Sequence, residues 1–156
     1  MSEGIIIAII GAGLCAILSS IGSAIGVQMG GRAAAGVCSE KPELFGKVLL
    51  LQALPGTQGF YGFIVAVLVA NNLGFFSGNI AQLTMGEGWA YFGAVMPATI
   101  ILFVSAIYQA MTGVAAIHMT AKQPDASGRG VTMTALVETY AILGLLTSII
   151  IIFGLR

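Results

Sequence analysis

Residues 131–153 read Val131-Thr-Met-Thr-Ala-Leu-Val-Glu138-Thr-Tyr-Ala-Ile-Leu-Gly-Leu-Leu-Thr-Ser-Ile-Ile-Ile-Ile-Phe153, an apolar run with one charge. A bilayer core takes about 20 apolar helical residues, so this stretch reads as a membrane span. An ionised carboxylate in hydrocarbon is costly, and such residues mark ion or proton paths. The fold has to answer what stabilises Glu138 and what it carries.

Composition extends the same reading to the whole chain. Of 156 residues, 58% are hydrophobic and 8% charged, whereas a soluble domain carries about 25% charged residues. No polar surface can be built from this composition, so the expectation is an all-α, multi-pass membrane protein surrounded by lipid. The formal net charge of zero leaves no basic surface for nucleic acid. Cys15 and Cys38 follow no metal or disulfide spacing and read as small apolar residues of the first span. The Met-Ser-Glu start lacks a positive n-region, so the first span is expected to be retained.

Three further runs resemble the one around Glu138. They extend from Ile5 to about Val37, from about Phe45 to Leu73, and from about Gly86 to Ala121; the fourth begins near Gly128. Proline turns at Pro42 and Pro124 separate the first from the second and the third from the fourth. Arg32, Lys41 and Lys47 flank one turn, and Lys122 and Arg129 the other, whereas the middle connection carries only Glu87. The positive-inside rule places both proline turns in the cytoplasm and both termini outside, with Arg156 the one exception.

The chain repeats itself at an offset of 82 residues. Ser23-Ala24-Ile25 matches Ser105-Ala106-Ile107; Met29, Gly31, Ala33 and Ala34 match Met111, Gly113, Ala115 and Ala116; Pro42 matches Pro124. Ala53-Leu54 matches Ala135-Leu136, Thr57 matches Thr139, and Gly62 matches Gly144. Two tandem hairpins in parallel orientation follow, residues 1–78 and 79–156, related by an axis along the membrane normal. Glu138 aligns with Gly56, so two hairpins share one carboxylate.

Several polar residues are placed to meet that carboxylate. Pro55 removes a helical hydrogen bond, which frees the carbonyl of Leu51 first and loosens the turn around Leu54. Leu54, Thr57, Gln58 and Tyr61 share one helical face. Gln109 lies mid-span on the third helix, with Ser105 and Thr112 a turn away on either side; Thr134 and Thr139 flank Glu138. Each has a structural alternative: Thr57 bonded to its own backbone, and Gln58 and Gln109 bridging helices. His118 and Tyr140 read as interfacial or packing residues. The stripe Gly22, Gly26, Gly30 lets another backbone approach, either within the chain or as an inner circle of helices in a ring. Hard cations take oxygen ligands; one carboxylate among neutral oxygens suits a monovalent cation. A proton needs fewer oxygens, so the surplus favours Na⁺ over H⁺, and no organic cofactor is called for.

The segments Leu54-Pro-Gly-Thr-Gln-Gly-Phe-Tyr-Gly62 and Val137-Glu-Thr-Tyr-Ala-Ile-Leu-Gly144 resemble the proteolipid, or K, subunit of bacterial sodium-pumping V-type ATPases. The likeness covers essentially the whole chain. It implies a rotor ring of identical subunits in the cell membrane. It also implies a static membrane subunit with an essential arginine and a central stalk meeting the cytoplasmic turns. The subunit itself hydrolyses nothing. The resemblance assigns the ion to the Leu54 carbonyl, Thr57, Gln58, Gln109 and Glu138, with Tyr61 hydrogen-bonded to the carboxylate. Proton-pumping relatives keep the glutamate but generally lack this full oxygen set. A channel or four-helix cation exporter is the alternative from another class, and it has no need of a parallel duplication.

Overall fold

The computed structural model describes residues 2–155, leaving Met1 and Arg156 outside the described residues. Five α-helices hold most of them: α1 (Glu3–Glu40), α2 (Phe45–Ala53), α3 (Thr57–Asn72), α4 (Met85–Lys122) and α5 (Ser127–Gly154). The helices α2 and α3 are halves of one span, joined through the 3₁₀ turn Leu54–Gly56 that Pro55 imposes. Among the described residues, four stretches are long and apolar enough to cross a membrane: Glu3–Glu40, Pro42–Asn72, Met85–Lys122 and Pro124–Gly154. They coincide with the four expected runs and extend most of them by a few residues.

The helix ends have local causes. A residue before proline is pushed out of the α region, and Lys41 (φ −135°, ψ 72°) and Gln123 (φ −136°, ψ 86°) stop α1 and α4 there. Gly74, at φ +80°, ends α3. The Phe75 N–H returns to the Ala70 carbonyl and the Gly74 N–H to that of Asn71, the bond pair of a Schellman cap. The helix α4 opens on a capping box: Thr84 Oγ1 accepts from the Glu87 N–H, and the Glu87 carboxylate accepts from the Thr84 N–H at 2.7 Å.

The 82-residue offset recurs in three dimensions. The span of α1 maps onto that of α4, the turn Pro42–Leu44 onto Pro124–Ala126, and Phe45–Asn72 onto Ser127–Gly154. The same relation governs packing. A Cβ on Gly62 would overlap the Ser19 hydroxyl and stand 2.9 Å from the Cys15 carbonyl; one on Gly144 would stand 2.8 Å from Ile101 Cβ and 3.3 Å from the Pro97 carbonyl. Ser19 and Ile101 are repeat mates, as are Cys15 and Pro97. The two proline turns lie side by side, since Lys41 Nζ donates to the Ala121 carbonyl at 2.6 Å and Lys47 Nζ to the Pro124 carbonyl at 3.0 Å.

The helices α1 and α4 form the largest interface, with α3 packed on α1 and α5 on α4. The stripe Gly22, Gly26, Gly30 works inside this chain. A Cβ on Gly22 would stand 3.0 Å from Phe103 Cα, one on Gly26 2.7 Å from Pro55 Cβ, and one on Gly30 3.0 Å from Gln52 Cα. Large apolar side chains face outward instead, Phe60, Phe63 and Ile150 each more than 60% exposed. Water cannot be the solvent of that surface. Both cysteines are free thiols. Because Gly62 meets backbone as well as a hydroxyl, Gly62→Ala is expected to cost about 1–3 kcal/mol by overpacking. It would be read as a lowered thermal unfolding midpoint in detergent, while alanine at Gly128, which has open space, should leave that midpoint in place.

Candidate ion-binding site around Glu138

Pro55 is where the site begins. Its missing N–H breaks the second span into α2 and α3, and the 3₁₀ turn rotates the first residues of α3 toward α4 and α5. The carbonyl of Leu51, whose usual donor the proline removes, lies against α4, 3.2 Å from where a Cβ on Gly113 would be. The Leu54 carbonyl accepts from the Thr57 N–H and from Thr57 Oγ1 at 3.0 Å. Thr57 Oγ1 also lies 3.4 Å from Gln58 Oε1. Leu54, Thr57 and Gln58 therefore gather their oxygens at one turn.

Gln58 and Gln109 are fully buried and meet each other across the α3–α4 contact, Gln58 Nε2 donating to Gln109 Oε1 at 2.6 Å. Gln109 Nε2 reaches α5, where it lies 3.3 Å from the Thr134 carbonyl and 3.5 Å from Glu138 Oε2. The other carboxylate oxygen, Glu138 Oε1, accepts from the Tyr61 hydroxyl at 2.7 Å. The half-buried Glu138 is thus addressed from two helices. No buried side-chain nitrogen or oxygen among the described residues lacks a hydrogen-bond partner, as membrane depth demands.

The residues expected to converge do so: Leu54, Thr57, Gln58, Tyr61, Gln109 and Glu138 form one connected network over three spans. Others do not join it. Ser105, Thr112 and Thr139 turn their hydroxyls back to the carbonyls of Leu102, Tyr108 and Leu136, and His118 and Tyr140 are exposed. Two features escape a sequence reading. The Thr134 carbonyl takes part, although the Thr134 hydroxyl is spent on Gly130; its place four residues before Glu138 was the available signal. Pro97 lies inside the unbroken α4, and next to it the buried Ser148 hydroxyl of α5 accepts from the Ala98 N–H at 3.0 Å. That bond fixes α5 on α4 two to three turns from Glu138.

Among the described residues no three His, Cys, Asp or Glu side chains gather to hold a metal ion. The site offers one carboxylate and a shell of neutral oxygens. The pseudo-equivalent place in the first hairpin holds Gly56, whose Cβ would be 3.5 Å from Val27. Val27 is the repeat mate of Gln109, so that place has neither charge nor amide.

Two in-register helical hairpins with one hydrogen-bonded carboxylate mid-span define a duplicated membrane proteolipid. The chain belongs to the ATP synthase C-subunit family, whose model matches it twice, at residues 10–69 and 92–151. It is 40% identical to the V-type sodium ATPase subunit K of Enterococcus hirae over 97% of this chain and 93% of that protein. It is 35% identical to the A-type ATP synthase subunit K of Methanocaldococcus jannaschii over 99% of this chain, which spans 65% of that protein's length. It is also 24% identical, over 92% of this chain and 88% of that protein, to the V-type proton ATPase 16 kDa proteolipid of Rattus norvegicus. It is a multi-pass membrane protein.

Proposed function

We propose that this chain is the ion-carrying rotor subunit of a V-type ATPase and that its cargo is Na⁺, held at Glu138. The observation that carries this is a hydrogen-bonded chain that runs from the carbonyl of a proline-broken turn through a threonine hydroxyl and two fully buried amides to one half-buried carboxylate. Sodium is a hard cation that prefers such oxygens; a proton would need only the carboxylate and an acceptor. The sodium ATPase subunit K, similar along nearly the whole chain, supports the same choice. In this reading the Leu54 carbonyl, Thr57, Gln58, Gln109 and Glu138 ligate the ion, and Tyr61 orients the carboxylate.

The two hairpins, residues 1–78 and 79–156, act as one carrier of one ion. Copies form a ring that turns against a static membrane subunit. Na⁺ neutralises Glu138, and the neutral site crosses lipid at low cost, whereas a bare carboxylate would not. An arginine on the static subunit stabilises the empty carboxylate and releases the ion. ATP hydrolysis takes place elsewhere in the complex. The proline turns face the cytoplasm and the central stalk. Arg32, Lys41, His118 and Lys122 line an open cleft at that end, and Trp89 packs edge-on to Phe92 near the start of α4, as interfacial aromatics do.

The deciding experiment is carbodiimide modification of Glu138 in the purified ring. Saturating Na⁺ is expected to suppress labelling at a fixed pH. Protection by low pH with none from Na⁺ would make the cargo H⁺.

A further inference from the structure

We propose that the basic cleft at the proline-turn end of α1 and α4 is a binding site for the phosphate headgroup of an anionic phospholipid, with Arg32 as its principal ligand. The inference rests on the membrane spans and does not depend on the cargo ion.

The cleft, about 640 Å³, lies between the ends of α1 and α4. Arg32, Gly36 and Glu40 line it from α1 at four-residue spacing, with Lys41 at the turn; His118 and Lys122 line it from α4, again four residues apart. A Cβ on Gly36 would have nothing within 4 Å, so the wall beside Arg32 is open. Three permanent cations share the cleft with one carboxylate.

These charges are not satisfied within the chain. Lys41 Nζ is engaged with the Ala121 carbonyl. Among the described residues Arg32, His118 and Lys122 have no hydrogen-bond or ion-pair partner, and neither has Glu40; all four are exposed. A guanidinium stays charged in a protein, and its planar fork matches the oxygens of a phosphate. The pairing does not follow from the duplication, because the repeat mates of Arg32 and His118 are Val114 and Gly36.

Depth selects a lipid as the source of that phosphate. After Glu3, residues 4–31 carry no charge. At 1.5 Å per residue they cover about 42 Å, close to the roughly 40–45 Å of a bilayer with its headgroup layers. Arg32 therefore stands at headgroup level, with Glu40 and Lys41 about 12 Å farther out along the helix. A protein seated on the proline turns would meet that outer level first. On the helical face of Arg32, at i−7, i−11 and i−18, come Ile25, Ile21 and Leu14, which are 40%, 45% and 37% exposed. One face thus joins a cation to an apolar track along which an acyl chain can lie. Basic pockets between membrane helices are known seats for anionic headgroups.

The test places the assembled complex in vesicles of phosphatidylcholine with a minor share of phosphatidylglycerol, including a trace that bears a photoreactive acyl chain. The adduct is expected to map to residues 14–25 and to fall by about fivefold in R32Q, the loss of one basic side chain near the surface. A phosphatidylcholine probe should label both proteins alike and more weakly. Equal labelling by the two headgroups, or an undiminished label in R32Q, would overturn the site. Millimolar inorganic phosphate should leave the label in place; displacement would assign the cleft to the free anion and overturn the lipid. A label seen only after the central stalk is stripped would assign it to an acidic protein surface instead. If R32Q fails to assemble, the unaltered protein decides: about 0.5 M KCl, which screens exposed charge, should reduce the phosphatidylglycerol label to the level of the phosphatidylcholine probe, and a label indifferent to salt refutes the proposal.

Discussion

A complex carrying Glu138→Gln is expected to assemble and to move no Na⁺. The amide has the shape of the carboxyl, and its oxygen can still accept from the Tyr61 hydroxyl, which lies 2.7 Å from Glu138 Oε1. What it lacks is charge. Leaving a cation buried without its counter-charge costs about 3–5 kcal/mol, which at 1.4 kcal/mol per tenfold is more than about a hundredfold in affinity. Uptake of ²²Na⁺ into inverted vesicles should fall to background, with the ring still intact on a native gel. Measurable uptake would mean that the charge is dispensable and the site lies elsewhere.

Gln109→Ala should have the second largest effect, through a different cause. Gln109 is the junction of the network: it accepts from Gln58, and its Nε2 lies near the Thr134 carbonyl and Glu138. Its loss strands the buried Gln58 amide, at about 1–3 kcal/mol, and removes one proposed ligand. Sodium affinity, read from protection against carbodiimide, is expected to drop by about tenfold or more. Gln109→Met fills most of the volume and separates the two causes. If methionine restores stability but not affinity, the amide is a ligand. If sodium protection survives both replacements, the amides serve only to join helices, and the case for Na⁺ over H⁺ collapses.

The spans were legible because hydrocarbon imposes a simple rule: every apolar run of sufficient length must be a helix. The parallel repeat was legible because many coincidences share one offset, and the structure carries that offset into helix ends and into the packing of Gly62 and Gly144. The meeting of Gln109 and Glu138 could be anticipated from similar depth, whereas the bond from Tyr61 to Glu138 was implied only by the family resemblance. The roles of backbone groups could not. A proline predicts a freed carbonyl at Leu51, yet the structure places that carbonyl against Gly113 and turns Leu54 toward Thr57. The bond from Ala98 to Ser148 left no trace in the sequence because it joins residues 50 positions apart. The glycine stripe was ambiguous for a similar reason: close approach is a property of two surfaces, and a sequence displays them one at a time.

If Glu138 carries the ion as proposed, the chargeless place at Gly56 and Val27 sets a gear ratio. A rotor built from such chains delivers one charge per four helices, half of what it would deliver with a carboxylate on every hairpin. For the same torque and the same energy released per turn, each ion can then be driven against twice the electrochemical step. In the proposed rotor, a glycine at position 56 in place of a second carboxylate would trade volume of flow for height of gradient.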